Sequence, residues 1–427
     1  MPPALAPEQR LEIADRYRRG HSLSAIAQDL GIHYETARKW ARIYRRQGRQ
    51  AVAHRPRKPS GRLRKVPERV VDCLLQLRRE HPNWGKPYLR QQLLHHPDLS
   101  DQERAAVPSL STFYRFLREH EDRPAKPALK NHVPTPPLVQ QAQYPHHLWQ
   151  MDLKEKCPVR GLNHQLTVAK VRDVFSSVTV GAVIFQLTRR HATLSGAHMQ
   201  QACRQCFAQW GLPEVLRTDK GTCFSGNFAQ TSFPSAFTLW LVGLGVKHET
   251  IPKGQVTQNG CVERFNRTYN NLVLRDGPFT DLEQMREVSR RTVDFLNNSY
   301  PSQAGNCQGQ PPLTAHPRAR HPRRPCQREQ EAELFSLKQV DQYLTQFRWQ
   351  RRADQVGKVS LADQDYYLGR AHHGRVFDVV FDAAERSFVF TTPDGQVQVR
   401  HRALGLDAEH LTDIRGHPRR PLRDSDK

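Results

Sequence analysis

The sequence predicts a multidomain α+β chain, with two helical units first, a mixed α/β core in the middle and a small β-barrel last. Three observations predict it. Apolar residues recur at helical spacing as far as residue 120, form short alternating or continuous runs between 148 and 300, and return as evenly spaced short runs from 333. Proline-rich and arginine-rich stretches, 121–147 and 301–332, separate these parts. The length of 427 residues suits roughly three or four domains.

Composition narrows the partner. Lys and Arg number 65 against 42 Asp and Glu, a net charge of +23, with a pI near 10.1. Such an excess implies a polyanionic partner, most simply nucleic acid. Hydrophobic residues are 37% of the chain and mean hydropathy is −0.73. No apolar run is long enough to span a bilayer. The opening MPPALAPEQR lacks a secretory core, so a cytosolic protein without a membrane partner is expected. The eight cysteines are scattered and read as reduced thiols. His191, His198, Cys203 and Cys206 could be drawn as a zinc site. On one straight helix, however, the first and last would lie about 22 Å apart, too far for one ion.

Residues 1–50 hold three helical patterns. Leu11, Ile13 and Ala14 mark the first. Ser22 or Ser24 caps the second, with Ile26, Ala27 and Leu30 inward. Gly31 makes the turn, and Ala37, Trp40 and Ile43 face inward on the third. Small residues around a glycine turn resemble a helix-turn-helix motif. The third helix would then offer Tyr34, Glu35, Arg38 and Lys39 to a major groove. The alternative is a plain three-helix bundle with a charged face. Thirteen Lys or Arg residues and one acid lie between Arg38 and Arg69. Residues 51–65 within that run read as an extended arm that tracks phosphates. A second helical unit covers 66–120, and the proline-rich segment 121–147 is a semi-rigid linker.

Three carboxylates mark the core, 148–300. Asp152 follows the apolar run Leu148, Trp149 and Met151, and Asp219 follows Val215 and Leu216, so each sits at or near a short strand. Glu263 lies early in a helix whose buried stripe is Val262, Phe265 and Tyr269, with Asn259 as its N-cap. Taken alone, Glu263 is an ordinary solvated acid near a helix start. Three acids at one sheet edge would repel one another unless a cation sat between them. Oxygen donors select Mg²⁺ or Mn²⁺ over Zn²⁺, and a pair of such ions can serve both oxygens of a phosphodiester exchange.

These residues resemble a known family. Asp152, then Thr218-Asp219-Lys220-Gly221, then Gln258-Asn259-Gly260 with Glu263-Arg264, is similar to the DDE core of retroviral integrases and bacterial insertion-sequence transposases. Asp173 to Ser177 and Ile251-Pro252 resemble its flanking segments. Lys220 departs from it, because the family has Asn or His there. The family also spaces its second and third acids more closely than the 43 intervening residues here, which a loop insertion near Gln230–Ser235 would absorb.

The resemblance implies an RNase H-like sheet and a site in which Asp152, Asp219 and Glu263 hold two Mg²⁺ or Mn²⁺ ions. It implies DNA end cleavage and strand transfer, with double-stranded element ends and target DNA as partners. A homo-oligomer assembled on DNA at a bacterial nucleoid is also expected. Lys220, Asn259 and Arg264 are candidate contacts to DNA near the scissile phosphate. In 66–120, the His81 to Gly85 segment followed by Ser109 to Arg115 resembles the family's second helix-turn-helix, with Thr112, Tyr114 and Arg115 facing DNA. Two other functions stay open: a domesticated DNA-binding regulator with an inactive core, and an RNase H-class nuclease.

The end of the chain reads as strands again. Residues 301–332 form a basic linker. Across 333–408, five short strand patterns with tight turns suggest an SH3-like β-barrel. Residues 409–427 are polar and read as a disordered tail.

Overall fold

A computed structural model of the chain describes residues 5–53, 66–120, 142–163, 165–186, 194–225, 233–251 and 260–414. The arm at 54–65, Asn259, His191 and the centre of the proposed loop insertion lie outside these residues. The described chain divides into two compact units, one of residues 1–72 with 97–123 and one of 73–96 with 124–427.

The first unit opens with helices α1 (Pro7–Arg18), α2 (Leu23–Asp29) and α3 (Tyr34–Ala53). Ser22 caps α2 by accepting the Ala25 N–H, and Gly31 turns the chain at φ +60°. Ile13, Ala14, Ile26, Ala27, Ala37, Trp40 and Val52 form one buried cluster. Bidentate pairing of Arg49 with Asp15 ties the end of α3 to α1. Helices α4 (Glu68–Glu80), α5 (Lys86–Leu94), α6 (Asp101–Ala105) and α7 (Leu110–His120) follow.

Residues 66–120 divide differently from the single helix-turn-helix unit expected, because 73–96 belong with the core. The reason is aromatic packing. His81 stacks on Trp84 at 3.7 Å, and Tyr88 packs edge-on against Phe295. The His81 Nδ1 also meets the Asp276 carboxylate at 2.9 Å.

The second unit is built on a five-stranded sheet ordered β3-β2-β1-β4-β5. Its strands are β1 (Leu148–Cys157), β2 (Leu166–Asp173), β3 (Thr179–Gln186), β4 (Val215–Thr218) and β5 (Lys247–Thr250). Strands β1 to β3 pair antiparallel, and β4 and β5 pair parallel to β1. A mixed five-stranded sheet is what the resemblance implies. Helices α8 (Gly196–Trp210) and α9 (Ala236–Gly243) bury Met199, Phe207, Phe237 and Trp240 with strand residues Trp149, Ala169 and Leu216. Helices α10 (Gly260–Tyr269) and α11 (Leu282–Asn298) join a second cluster with Val168 and Ile184. Alternation along the strands sends successive side chains into these two clusters.

One turn depends on glycine. Gly161 has φ +88°, and a Cβ there would lie 2.1 Å from the Phe279 carbonyl oxygen. Backbone cannot yield as a flexible side chain can. Gly161→Ala should therefore cost about 2 kcal/mol or more, read as a lower denaturation midpoint; an unchanged midpoint would contradict this packing.

Residues 301–332, expected as a basic linker, pack onto the core. Their carbonyls and arginines fill the core's own backbone needs. The Leu212 N–H donates to the Arg324 carbonyl at 2.8 Å, and the Arg324 guanidinium donates to the carbonyls of Pro213 and Gly245. His146 Nε2 meets the Ala319 carbonyl at 2.8 Å. Beyond lies α12 (Leu337–Leu344).

The closing strands are β6 (Arg348–Arg352), β7 (Lys358–Leu361), β8 (Gln364–Tyr367), β9 (Val376–Asp382), β10 (Ser387–Thr391) and β11 (Gln398–Arg402). Among the described residues they form a four-stranded antiparallel sheet, β11-β10-β9-β6, and a separate β7-β8 hairpin, with no closed barrel. Strand β6 escaped the sequence reading because RWQRR buries one apolar side chain, Trp349. The expected disordered tail starts instead with a short helix, α13 (Ala408–Thr412). Asp407 caps it and Leu411 is fully buried.

Candidate active site

The first acid stands on the central strand. Asp152 on β1 is Cα partner to Lys170 on β2. Two residues earlier on the same face of β1, Gln150 is fully buried. Its Oε1 accepts the N–H groups of Cys261 and Val262, at 3.1 and 3.2 Å. Gln150 thus satisfies two N–H groups in the first turn of α10. The helix that carries Glu263 is thereby held against the strand that carries Asp152. Asn266, one turn beyond Glu263, donates its side-chain N–H to Asp152 Oδ2. The buried stripe Val262, Phe265 and Tyr269 is present as expected.

The second acid stands just past β4, the parallel neighbour of β1. Asp219 is exposed, and its Oδ1 accepts the Gly221 N–H at 2.9 Å. Asp173, in the segment flagged by the resemblance, is a buried structural acid that accepts from the His146 and Ser176 N–H groups.

Like charges meet here. Burial raises the Asp152 pKa, and the Asp219 charge pushes it the same way; the Asn266 hydrogen bond and the Lys170 charge oppose. Burial and the Asp152 charge raise Glu263. Lys170 is fully buried, its Nζ has no hydrogen-bond partner among the described residues, and burial lowers its pKa to about 8. The Asp152 carboxylate thus feels Asp219, and Glu263 feels Asp152; oxygen donors of this kind suit Mg²⁺ or Mn²⁺ rather than a soft metal. They do not stand as a ready-made cage: no group of three His, Cys, Asp or Glu among the described residues is arranged to hold an ion. All eight cysteines are free thiols, and His198 bonds Ser195 rather than any cysteine.

The proposed DNA contacts divide. Tyr34, Glu35, Arg38 and Lys39 lie exposed on α3, with Tyr34 43% accessible and Arg38 paired to Glu35 at 3.2 Å. Tyr114 is exposed and Arg115 half-buried on α7. Thr112 is a correction. It is buried and accepts the Ser109 hydroxyl at 3.3 Å, because its position on α7 lies beside buried Phe113. Lys220 and Arg264 are exposed near the acids. Gln150 and Asn266 were missed; the signal was a polar residue inside an apolar strand run and an amide one turn from an acid.

Comparisons with known proteins agree with this architecture. A helix-turn-helix domain matches residues 9–60, a homeodomain-like domain 36–117 and an integrase core domain 244–308. The chain carries the domains of a transposase or integrase that acts on DNA. Helix-turn-helix domains joined to an integrase core fit a transposase of the insertion-sequence kind. The integrase core match includes β5, Glu263 on α10, and α11. Among solved structures, the HTLV-2 integrase catalytic core domain in complex with magnesium aligns at 19% identity and TM-score 0.30, over 41% of this chain and 99% of that one. A simian T-cell lymphotropic virus intasome in complex with the PP2A regulatory subunit B56 gamma aligns at 13% identity and TM-score 0.34, over 73% of this chain and 96% of that one. Among the described residues no helix is long and apolar enough to cross a membrane.

Proposed function

We propose that this chain is a DDE transposase that cleaves element ends and joins them to target DNA. One observation carries the reading: Asp152 stands within electrostatic reach of both Asp219 and Glu263, from a central strand, its parallel neighbour and a helix clamped to that strand. The three carboxylates are the residues that would hold two Mg²⁺ or Mn²⁺ ions. When bound, such ions supply positive charge that activates the attacking oxygen and stabilises the leaving one.

In the first reaction water attacks the phosphorus, the P–O3′ bond breaks, and the 3′ oxygen leaves as a hydroxyl. In the second that hydroxyl attacks a target phosphodiester and displaces its 3′ oxygen, with no covalent protein intermediate. Arg264, Lys220 and Asn259 bind phosphate oxygens beside the acids. Tyr34, Glu35, Arg38 and Lys39 read the element end in the major groove. Tyr114 and Arg115 add contacts from α7. Two ends require two active sites, hence a homo-oligomer on DNA. Residues 73–96, 301–332 and 409–414 would serve the core beside the expected domains. The hairpin's Val359, Leu361 and Tyr366 share a buried cluster with Phe388 and Phe390, which supports an SH3-like reading of the C-terminal strands.

A DNA-binding regulator with an inert core is the second reading. The buried Lys170 beside Asp152 and the cation of Lys220 next to Asp219 favour it, since each would oppose a bound ion. Thermal melting with Mn²⁺ separates the two. At about a hundred times the Kd, Mn²⁺ should stabilise the wild type by about 2.7 kcal/mol, and Asp152→Asn should lose that gain. Equal melting with and without Mn²⁺ would favour the regulator.

A further inference from the structure

Asp219 is exposed at the end of a four-residue strand, so something must hold that end in place. His248 on β5 lies between two hydroxyls. Its Nε2 is 3.0 Å from Thr218 Oγ1 and its Nδ1 is 2.9 Å from Thr238 Oγ1 on α9. The Thr218 hydroxyl donates to the Asp219 carbonyl at 2.9 Å. With that proton committed, Thr218 Oγ1 accepts from His248, so Nε2 carries the ring proton. Nδ1 faces Thr238 Oγ1, which also meets the Ser235 hydroxyl at 3.0 Å. Thr238, His248, Thr218 and the Asp219 carbonyl thus form one continuous hydrogen-bonded chain. Burial lowers the His248 pKa to about 4, so the ring stays neutral near neutral pH.

The far side of the Asp219 turn is tied to the same helix. Ser235, the N-cap of α9, donates its hydroxyl to the Phe224 carbonyl at 2.6 Å and accepts the Thr238 N–H at 3.1 Å. The turn between Thr218 and Phe224 is therefore anchored to the start of α9 at both ends. The Gly221 N–H then orients the carboxylate within it.

We propose that His248 is a positioning residue for the second acid, setting through Thr218 the strand end from which Asp219 projects. A histidine that merely fills the core would satisfy the same ring nitrogens without affecting the acid. This inference rests on the reading of Asp219 as catalytic. It touches no substrate atom, and it extends the site from three acids to the chain of hydroxyls behind one of them.

The test uses the full chain with a pre-cleaved element end and plasmid target, following rate, end-DNA KM and Mn²⁺ affinity without DNA. Thr218→Val keeps the side-chain shape and removes the hydroxyl. It should slow strand transfer about tenfold and weaken Mn²⁺ binding, with end KM unchanged, since small displacements of reacting groups carry large rate costs. His248→Phe should do the same, His248→Gln should recover most of the rate, and Thr218→Val with His248→Phe should be no worse than either alone. If His248→Phe fails to fold, Thr218→Val carries the test. Wild-type rate and Mn²⁺ affinity in Thr218→Val, while Asp219→Asn is inert, would overturn the positioning role alone. A wild type no more active than Asp219→Asn would overturn the catalytic reading and this inference with it.

Discussion

Glu263→Gln should reduce strand transfer by at least about a thousandfold while leaving end binding and stability intact. The substitution keeps the volume of the side chain on α10 and removes one negative charge. Burial and the Asp152 charge already disfavour ionised Glu263, so neutralising it relieves repulsion in the free protein. The clamp from Gln150 to Cys261 and Val262 does not use the Glu263 side chain. A fold at least as stable as wild type, with activity gone, is the signature of an acid kept for chemistry. Activity near wild type would show that Glu263 is a surface acid and that the triad is wrongly assigned.

The largest stability effect should come from outside the acids. Glu331 is buried and accepts two bonds from Arg204, at 2.6 and 2.7 Å, and one from the Trp240 indole N–H at 2.8 Å. The Arg204 guanidinium also lies 5.6 Å from the Trp240 ring centroid and donates to the Thr412 carbonyl. The Glu331–Arg204 pair therefore joins α8, α9 and the end of α13. Glu331→Ala leaves Arg204 uncompensated and the indole without its acceptor. Breaking a buried pair from one side costs about 3–5 kcal/mol, and the lower end applies because Arg204 keeps some solvent contact. Glu331→Gln, which retains an acceptor for the indole, should lose less. Urea denaturation followed by the tryptophan signal tests both; a shift in midpoint no larger than for a surface Glu→Ala change would rule out this network.

Much of the core was legible because its signals are local. Asp152 and Asp219 follow apolar runs that read as strands, although β1 runs on past Asp152 to Cys157, and Val262, Phe265 and Tyr269 keep helical spacing around Glu263. What was not legible depends on partners far apart in sequence. Gln150 serves the start of α10 across more than a hundred residues of chain. Arg324 looks like a DNA-seeking cation in a basic run, yet its guanidinium is spent on the carbonyls of Pro213 and Gly245. Thr112 sits at a position expected to face DNA, but its neighbour Phe113 turns inward and takes it along. Lys170 is the sharpest case. In an alternating strand it reads as a solvent-facing residue, whereas both faces of β2 are covered and it lies fully buried beside Asp152. Charge counting along a sequence cannot separate cations that face DNA from cations that serve the fold.

Strand transfer of a pre-cleaved element end into plasmid DNA with Mg²⁺, compared for wild type and Asp219→Asn, tests the central claim most directly. Joined products from the wild type alone are the predicted result. End binding by both proteins with joined products from neither, or from both, would contradict a transposase that works through Asp152, Asp219 and Glu263.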